Sequence, residues 1–129
     1  MDDLRLEATK SSPFISFDTQ RGVLEIKGKS YPENAAKFYA PVFEWVSAYL
    51  NSDDDRIVEV NLELIYLKSS SSKAILNLFD ILDRCAKSGR AIVINWRYHE
   101  ENETALECGE EFGEDLEAVT FNLVKIEVT

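Results

Sequence analysis

Two short runs near the N-terminus alternate apolar and polar residues, as half-buried β-strands do. They cover residues 14–18 and 23–28, and the segment between them ends in Gly22. Runs of this length joined by a short loop with a glycine are typical of a β-hairpin. The pattern predicts an N-terminal hairpin, whereas the polar residues 1–12 are expected to be loosely held.

A helix is predicted to begin at Tyr31 and Pro32 and to run to Leu50, because apolar residues recur from Ala35 onward three and four positions apart. Pro32 suits the first turn, so Ser30 or Tyr31 is expected near the cap. Pro41 interrupts the pattern and is expected to kink the helix or to split it. The apolar positions are Ala35, Phe38, Tyr39, Val42, Val46, Tyr49 and Leu50.

A β-α-β unit follows. Residues 58–67 alternate as far as Leu64 and then become apolar on both faces, so the end of this strand is expected deeper in the sheet. An amphipathic helix begins at about Ser70 and closes at Gly89, where a left-handed residue is common. The apolar residues 91–96 indicate a central strand covered on both faces. The connection predicts that the two strands are parallel neighbours in a right-handed unit.

Residues 100–117 carry nine acidic side chains and no basic one. Leu106, Phe112 and Leu116 indicate a third helix with a thin apolar stripe beneath an acidic outer face. This face has two interpretations, a solvated surface or a docking surface for a basic partner.

A last strand is predicted near the C-terminus. It includes Val119, Phe121 and Leu123 and extends over residues 125–128. The element order is therefore β-β-α-β-α-β-α-β. We expect one domain over residues 1–129, of α/β class (an α+β mixed sheet), with about five strands and three helices.

The charge balance limits the partners of this chain. Its 24 acidic and 14 basic residues give a net charge of −10, which repels nucleic acid and anionic membranes. No run approaches the roughly 20 apolar residues of a membrane span, and the N-terminus does not resemble a signal peptide. A protein partner and a cytoplasmic location are expected, with neither nucleic acid nor membrane bound.

The residues that commonly ligate metals or act in catalysis are scattered. Cys85 and Cys108 have no metal-ligand spacing, and Cys85 lies on the apolar stripe of the second helix. His99 is the single histidine, and the acidic residues 53–55 lack a calcium-binding loop around them. We therefore expect no metal, no cofactor and no catalytic site.

Four consecutive serines, residues 69–72, occupy the predicted turn between strand and helix. The simplest interpretation is an N-cap, in which a hydroxyl accepts from an early helix amide. One hydroxyl satisfies that motif, so four exceed what capping requires. The same position favours a phosphate, because free amides and the helix dipole attract an anion there.

Four motifs, in this order and spacing, resemble the SiaC family of bacterial regulatory phosphoproteins over nearly the whole chain. They are Tyr-Pro-Glu-Asn at residues 31–34, Tyr-Leu-Lys-Ser-Ser-Ser at 66–71, Asn-Trp-Arg-Tyr at 95–98, and Glu107 followed by Glu-Glu-Phe at 110–112. Each motif alone is weak, but together they are fairly specific.

The resemblance implies a partner-switching protein without catalysis of its own, similar in fold and logic to the STAS domains of anti-sigma-factor antagonists. In such a system a family kinase phosphorylates a hydroxyl at the start of the helix, and a metal-dependent protein phosphatase removes the phosphate. The unmodified protein binds and activates a diguanylate cyclase.

The family pattern at this turn is Leu-Asn-Thr-Ser-Ser, so its modified Thr corresponds to Ser69. Serine retains a hydroxyl that can be phosphorylated, and Lys68 replaces the family Asn and adds positive charge. The resemblance implies phosphorylation at Ser69. Partner binding is assigned to its neighbours Tyr66, Lys68, Ser70, Ser71 and Lys73.

Two other functions compete with this hypothesis. A STAS-type antagonist that binds an anti-sigma-factor kinase would share the fold and the phosphorylation switch. An enzyme would need a nucleophile with a base, a ligand cluster or a glycine-rich phosphate loop, and the sequence has none of these patterns.

Overall fold

The computed structural model describes residues 1–52 and 55–127, and within them the chain forms six strands and three helices. This confirms the α/β class with a mixed sheet and adds one strand to the expected number. The strands are β1 (Leu4–Leu6), β2 (Phe14–Asp18), β3 (Val23–Ser30), β4 (Val58–Leu67), β5 (Ile92–His99) and β6 (Thr120–Ile126). The helices are α1 (Ala35–Leu50), α2 (Ser69–Lys87) and α3 (Glu103–Gly113).

The six strands lie side by side in chain order. β1, β2 and β3 pair antiparallel, which confirms the predicted hairpin of β2 and β3. β3, β4, β5 and β6 pair parallel, and β4, β5 and β6 are each reached through a helix. The predicted parallel pairing of β4 with β5 is confirmed, with Val60 opposite Ile94.

All three helices pack on one face of this sheet. Trp96 of β5 is buried there, where its indole Nε1 donates to the carbonyl oxygen of Ala105 in α3 at 2.8 Å. Its ring also contacts the ring of Phe79 in α2, with centroids 6.2 Å apart. Paired positions across the strands continue this buried layer. They are Phe17, Leu24, Val60 and Ile94 in one row, and Ile15, Ile26, Leu62 and Trp96 in the next.

The opposite face of the sheet is polar, so the expectation that β5 is covered on both faces is wrong. Val93 and Asn95 are only half-buried. Asn122 Nδ2 donates to Asn95 Oδ1 at 3.0 Å, and Asn95 Nδ2 donates to Asn61 Oδ1 at 2.9 Å. Amides that pair across neighbouring strands satisfy one another, so this face needs no helix over it.

The sixth strand, β1, lies where loosely held residues were expected. Leu4 pairs with Phe17 of β2, and both Leu4 and Leu6 pack against the core. Trp45 of α1 adds a hydrogen bond from its indole Nε1 to the carbonyl oxygen of Asp2 at 2.8 Å. These long-range contacts fix a segment whose local pattern is too short to indicate a strand.

Helix α1 begins later than its proline suggested. Asn34 is the N-cap, and its side chain accepts from the backbone N–H of Lys37 at 3.1 Å. Ser30, expected near the cap, is instead the last residue of β3. Pro41 lies within the helix without splitting it, and its side chain is exposed.

The end of β4 is exposed, which contradicts the expectation that it lies deeper in the sheet. Ile65 and Tyr66 are 46% and 52% exposed. The pairing of β4 with β5 ends at Leu62 and Trp96, so the last residues of β4 pair with β3 alone. Apolar residues on both sides of a strand therefore mark a surface here and not a buried position.

The C-terminal end of α2 follows the expected pattern. Gly89 has a φ of +111°, in the left-handed region that glycine adopts readily. Cys85 is half-buried and packs against the core, as expected for the stripe. Parts of two other expectations, the acidic loop at Asp53 and Asp54 and the last strand at Val128, lie outside the described residues.

Candidate functional site

One edge of the sheet collects the carboxyl ends of β3, β4 and β5 and the N-termini of the three helices that follow them. Asn102, the N-cap of α3, donates from Nδ2 to the carbonyl oxygen of Ile65 at 3.1 Å. The rings of Tyr31 and Tyr66 meet edge to face, with centroids 5.7 Å apart. In α/β proteins this edge is where ligands and partners commonly bind.

The first turn of α2 lies at this edge and presents its serines differently from a capped helix. Lys68 is the N-cap residue, and among the described residues no side chain caps this terminus. The carbonyl oxygen of Lys68 accepts from the backbone N–H groups of Ser71 and Ser72, at 2.9 Å each. Ser69 and Ser70 are the first two helical residues, and both are exposed. The simple N-cap interpretation of the serine run is therefore wrong.

Ser71 lies on the other side of the same turn and is completely buried. Ser30 Oγ donates to Ser71 Oγ at 2.8 Å and lies 2.6 Å from the hydroxyl of Tyr39. Because a hydroxyl has one hydrogen, Tyr39 is the donor to Ser30. The three residues come from β3, α1 and α2 and are all fully buried.

This hydroxyl network fixes the position of the serine turn. The backbone N–H of Lys68 also donates to the carbonyl oxygen of Ser30 at 3.0 Å. Burial raises the pKa of Tyr39, and the neighbouring hydroxyls of Ser30 and Ser71 oppose this shift by a smaller amount. Ser71 is therefore a structural residue, which corrects its assignment to partner binding, since its hydroxyl does not reach the surface.

The other residues assigned to partner binding are exposed. Tyr66, Lys68 and Ser70 lie at the edge around Ser69. Lys73 lies one turn further along α2. The structure thus groups the residues that sequence reasoning selected, with Ser71 as the exception.

An open groove of about 1310 Å³ runs between α1 and α2 beside this turn. We call it the α1–α2 groove. Ser70, Lys73 and Asn77 line it from α2, while Lys37 and Phe38 are among the residues that line it from α1. Sequence reasoning connected Lys73 with the site but not the residues of α1.

Four residues lie at this edge of the sheet or line the groove without having been predicted to belong to the site. They are Tyr31, Lys37, Phe38 and Ile65. Phe38 was assigned to the apolar face of α1, yet it is only half-buried and lines the groove. The sequence pattern predicts that Ile65 lies in a buried strand end, whereas it is exposed. Both residues are apolar, but whether an apolar side chain faces the core or the surface depends here on how the helices and strands pack together.

The described residues contain no cluster of three or more His, Cys, Asp or Glu side chains suited to a metal ion. His99 Nε2 lies 3.6 Å from Glu63 Oε2 on the polar face of the sheet. Burial, together with Glu111 and Glu107, raises the pKa of Cys108, which makes it a poor nucleophile. Within the described part of the chain, no helix is long and apolar enough to cross a membrane.

Helix α3 has the expected acidic outer face, but the predicted apolar stripe is only partly right: Phe112 is buried, whereas Leu106 is half-buried and Leu116 lies beyond the end of the helix. Ala105 and Phe112 are buried, and Gly109 packs so closely on Trp96 that a Cβ there would clash with its ring. Asn102 caps the helix with a side chain that accepts from the backbone N–H of Ala105 at 3.1 Å. Both interpretations of the acidic face stay open.

A model of the SiaC family of regulatory phosphoproteins matches residues 6–126. The chain belongs to the SiaC family. It is 40% identical over 115 residues to an uncharacterised protein of Pseudomonas aeruginosa strain UCBPP-PA14, which covers 89% of this chain and 90% of that protein. The family resemblance of the sequence motifs is thereby confirmed.

Solved structures of the SiaC family have the same fold. SiaC of P. aeruginosa is 36% identical, with a TM-score of 0.90, and the match covers 98% of this chain and all of that one. The structure of the diguanylate cyclase SiaD in complex with its activator SiaC, from the same organism, matches at 37% identity over 96% of this chain and 100% of that one, also with a TM-score of 0.90. SiaC of P. aeruginosa is thus a regulatory protein that binds and activates a diguanylate cyclase.

Proposed function

We propose that this protein activates a diguanylate cyclase by binding to it, and that phosphorylation of Ser69 prevents that binding. The observation that carries the proposal is the placement of Ser69. It is the first residue of α2, exposed at the edge of the sheet, in a chain similar to a cyclase activator over nearly its full length. The chain acts as a binding protein and does no chemistry itself.

The first turn of α2 suits a reversible phosphate. The early amides of a helix have no acceptor within the helix, and its dipole places partial positive charge there. Lys68 adds a full charge next to Ser69. A phosphate on Ser69 adds about two negative charges and three acceptor oxygens, which these groups can hold.

The same phosphate would disturb a partner packed on the edge. Tyr66 and Ile65 expose apolar surface beside the turn, and a partner that covers them brings its own groups close to Ser69. Every 1.4 kcal/mol of repulsion weakens binding about tenfold. A like-charge contact that excludes water supplies a few kcal/mol, enough for an on/off switch.

The switch requires two further cytoplasmic proteins, a protein kinase that recognises the serine turn and a metal-dependent protein phosphatase that restores the hydroxyl. Ser69 is accessible to both. The adjacent hydroxyl of Ser71 is not, because it is buried in the hydroxyl network.

The test measures cyclic di-GMP formation from GTP by the diguanylate cyclases of the host, purified one by one. The unmodified protein is expected to activate one of them, and Ser69→Asp is expected to lose that activation. Ser69→Ala is expected to retain it and to resist phosphorylation. Ser47→Asp is the matched control, since Ser47 is exposed on α1 away from the sheet edge.

Activation by Ser69→Asp at the level of the unmodified protein would contradict the switch. Intact mass and fragmentation of the protein from its host, before and after phosphatase treatment, locate the modification. A phosphate on Ser70 or Ser72 alone would move the assignment away from Ser69.

A further inference from the structure

The α1–α2 groove exposes apolar side chains. Ala36 and Ala40, one helical turn apart and both exposed, line it from α1. Phe38 and Phe43 also line it and are only half-buried. Apolar surface therefore meets water along a groove of about 1310 Å³, and concave apolar surface of this kind commonly marks an interaction site.

The charges of the groove differ from those of the rest of the protein. Lys37 from α1 and Lys73 from α2 line it, and both are exposed. The N-terminal turns of both helices lie at the groove, where their dipoles place partial positive charge. Among its described lining residues, Glu33 is the one carboxylate. On a chain with 24 acidic and 14 basic residues, the groove is a basic region.

We propose that the α1–α2 groove binds an amphipathic acidic segment of the cyclase. The apolar side chains of the segment pack against Ala40, Phe38 and Phe43. The carboxylates of the segment pair with Lys37 and Lys73. A helix laid in a groove between two helices is a common mode of recognition, with specificity from the flanking charges. The proposal rests on the proposed function, because it names the surface of this protein that the cyclase contacts.

The groove connects directly with the switch. Ser70 lines it, and Ser69 precedes Ser70 in the same turn. Lys73 is four residues after Ser69, a spacing at which side chains on a helix meet. A phosphate on Ser69 therefore competes with the carboxylates of the segment for Lys73 and repels them.

The first test measures the affinity of the activated cyclase for groove variants. Ala40→Glu puts a carboxylate on the apolar wall and is expected to weaken binding about tenfold or more. Ala48→Glu is its control, since Ala48 is exposed on the same helix outside the groove. Thermal melting of both variants checks that each is folded.

Charge reversal tests the basic part of the groove. Lys37→Glu and Lys73→Glu are each expected to weaken cyclase binding about tenfold and to reduce the dependence of the association rate on salt. Lys125→Glu on β6 changes the net charge equally outside the groove and is expected to bind like the wild type. Wild-type affinity in Ala40→Glu and in both groove lysine variants would overturn the groove assignment while leaving the proposed function standing.

A second test does not depend on the cyclase. A helical peptide of Leu, Ala and Glu, about 20 residues long so that it is helical in water, is titrated into the ¹⁵N-labelled protein and compared with the same peptide carrying Lys in place of Glu. The acidic peptide is expected to shift amides of residues 35–43 and 70–77, and Ala40→Glu is expected to abolish the shifts.

Equal responses to the two peptides, or unshifted groove amides, would overturn the proposal. If no host cyclase binds the unmodified protein, the proposed function fails, and the peptide titration still decides whether the groove takes an acidic segment.

Discussion

Ser69 and Ser71 lie two residues apart in one turn of α2, yet their hydroxyls meet opposite surroundings. Ser69 is exposed, whereas Ser71 is fully buried and accepts a hydrogen bond from Ser30. A helix turns by about 100° per residue, so a step of two residues carries a side chain to the other side. One serine run therefore both fixes the turn through a buried hydroxyl and presents an exposed hydroxyl at the surface.

The largest expected effect comes from placing the same charge at both positions. Ser71→Asp buries a carboxylate among hydroxyls and apolar side chains and is expected to lower the free energy of unfolding by about 3–5 kcal/mol. Urea unfolding of Ser71→Asp beside Ser69→Asp measures the difference. Equal unfolding midpoints would show that the two sides of the turn are not distinct.

Removing one hydroxyl from the buried side tests the network itself. Tyr39→Phe deletes the donor to Ser30 and is expected to cost about 1–2 kcal/mol of unfolding free energy. Tyr66→Phe is the control, because Tyr66 is half-exposed at the sheet edge and its loss of a hydroxyl is expected to be neutral. Equal unfolding free energies for Tyr39→Phe and Tyr66→Phe would contradict a stabilising role for the hydroxyl network.

The buried side also makes stability depend on alkaline pH. Burial raises the pKa of Tyr39 in the folded protein, so the unfolded chain loses this proton first. The contribution of Tyr39 to stability is full below the tyrosine pKa of about 10 and is lost as pH rises through the folded pKa. Urea unfolding between neutral pH and alkaline pH is expected to show a steeper loss in the wild type than in Tyr39→Phe.

The N-termini of α1 and α2 differ in capping: a side chain caps α1, whereas none caps α2 among the described residues. Asn34→Ala removes the side chain that caps α1 and is expected to cost about 1 kcal/mol. Lys68→Ala changes the N-cap of α2, where no side chain caps among the described residues, and is expected to change stability by less than about 0.5 kcal/mol. Similar losses in the two variants would mean that Lys68 does cap α2.

The smallest expected effect on stability is that of Ser69→Asp. An acidic side chain in the first turn interacts favourably with the helix dipole. The free energy of unfolding of Ser69→Asp is therefore expected to rise slightly, by less than about 0.5 kcal/mol. Thermal melting measures this change. A large loss of stability would show that Ser69 has a structural role, and that its effect on binding is indirect.

Periodicity along the chain was enough to predict the helices and most of the strands. Ser71 could also have been placed, because it lies four residues before Ile75 and so extends the buried stripe of α2 back by one turn.

The rest depended on contacts that no local pattern reports. β1 is fixed by pairing with β2, and the exposure of Ile65 follows from where β5 stops pairing with β4. The α1–α2 groove forms where two helices pack against each other. This packing places Lys37 and Lys73, which are distant in the chain, along the same groove. The place of the serine run between a strand and a helix, by contrast, could be predicted from local pattern, whereas the choice of Ser69 within it is implied by the family resemblance.

The most direct test of the switch compares one protein in two states. The chain is phosphorylated by its kinase, the single phosphate is mapped to Ser69, and the affinity for the cyclase is measured before and after phosphatase treatment. The unmodified protein is expected to bind at least about 100-fold more tightly than the phosphorylated one. Equal affinities in the two states would contradict the account.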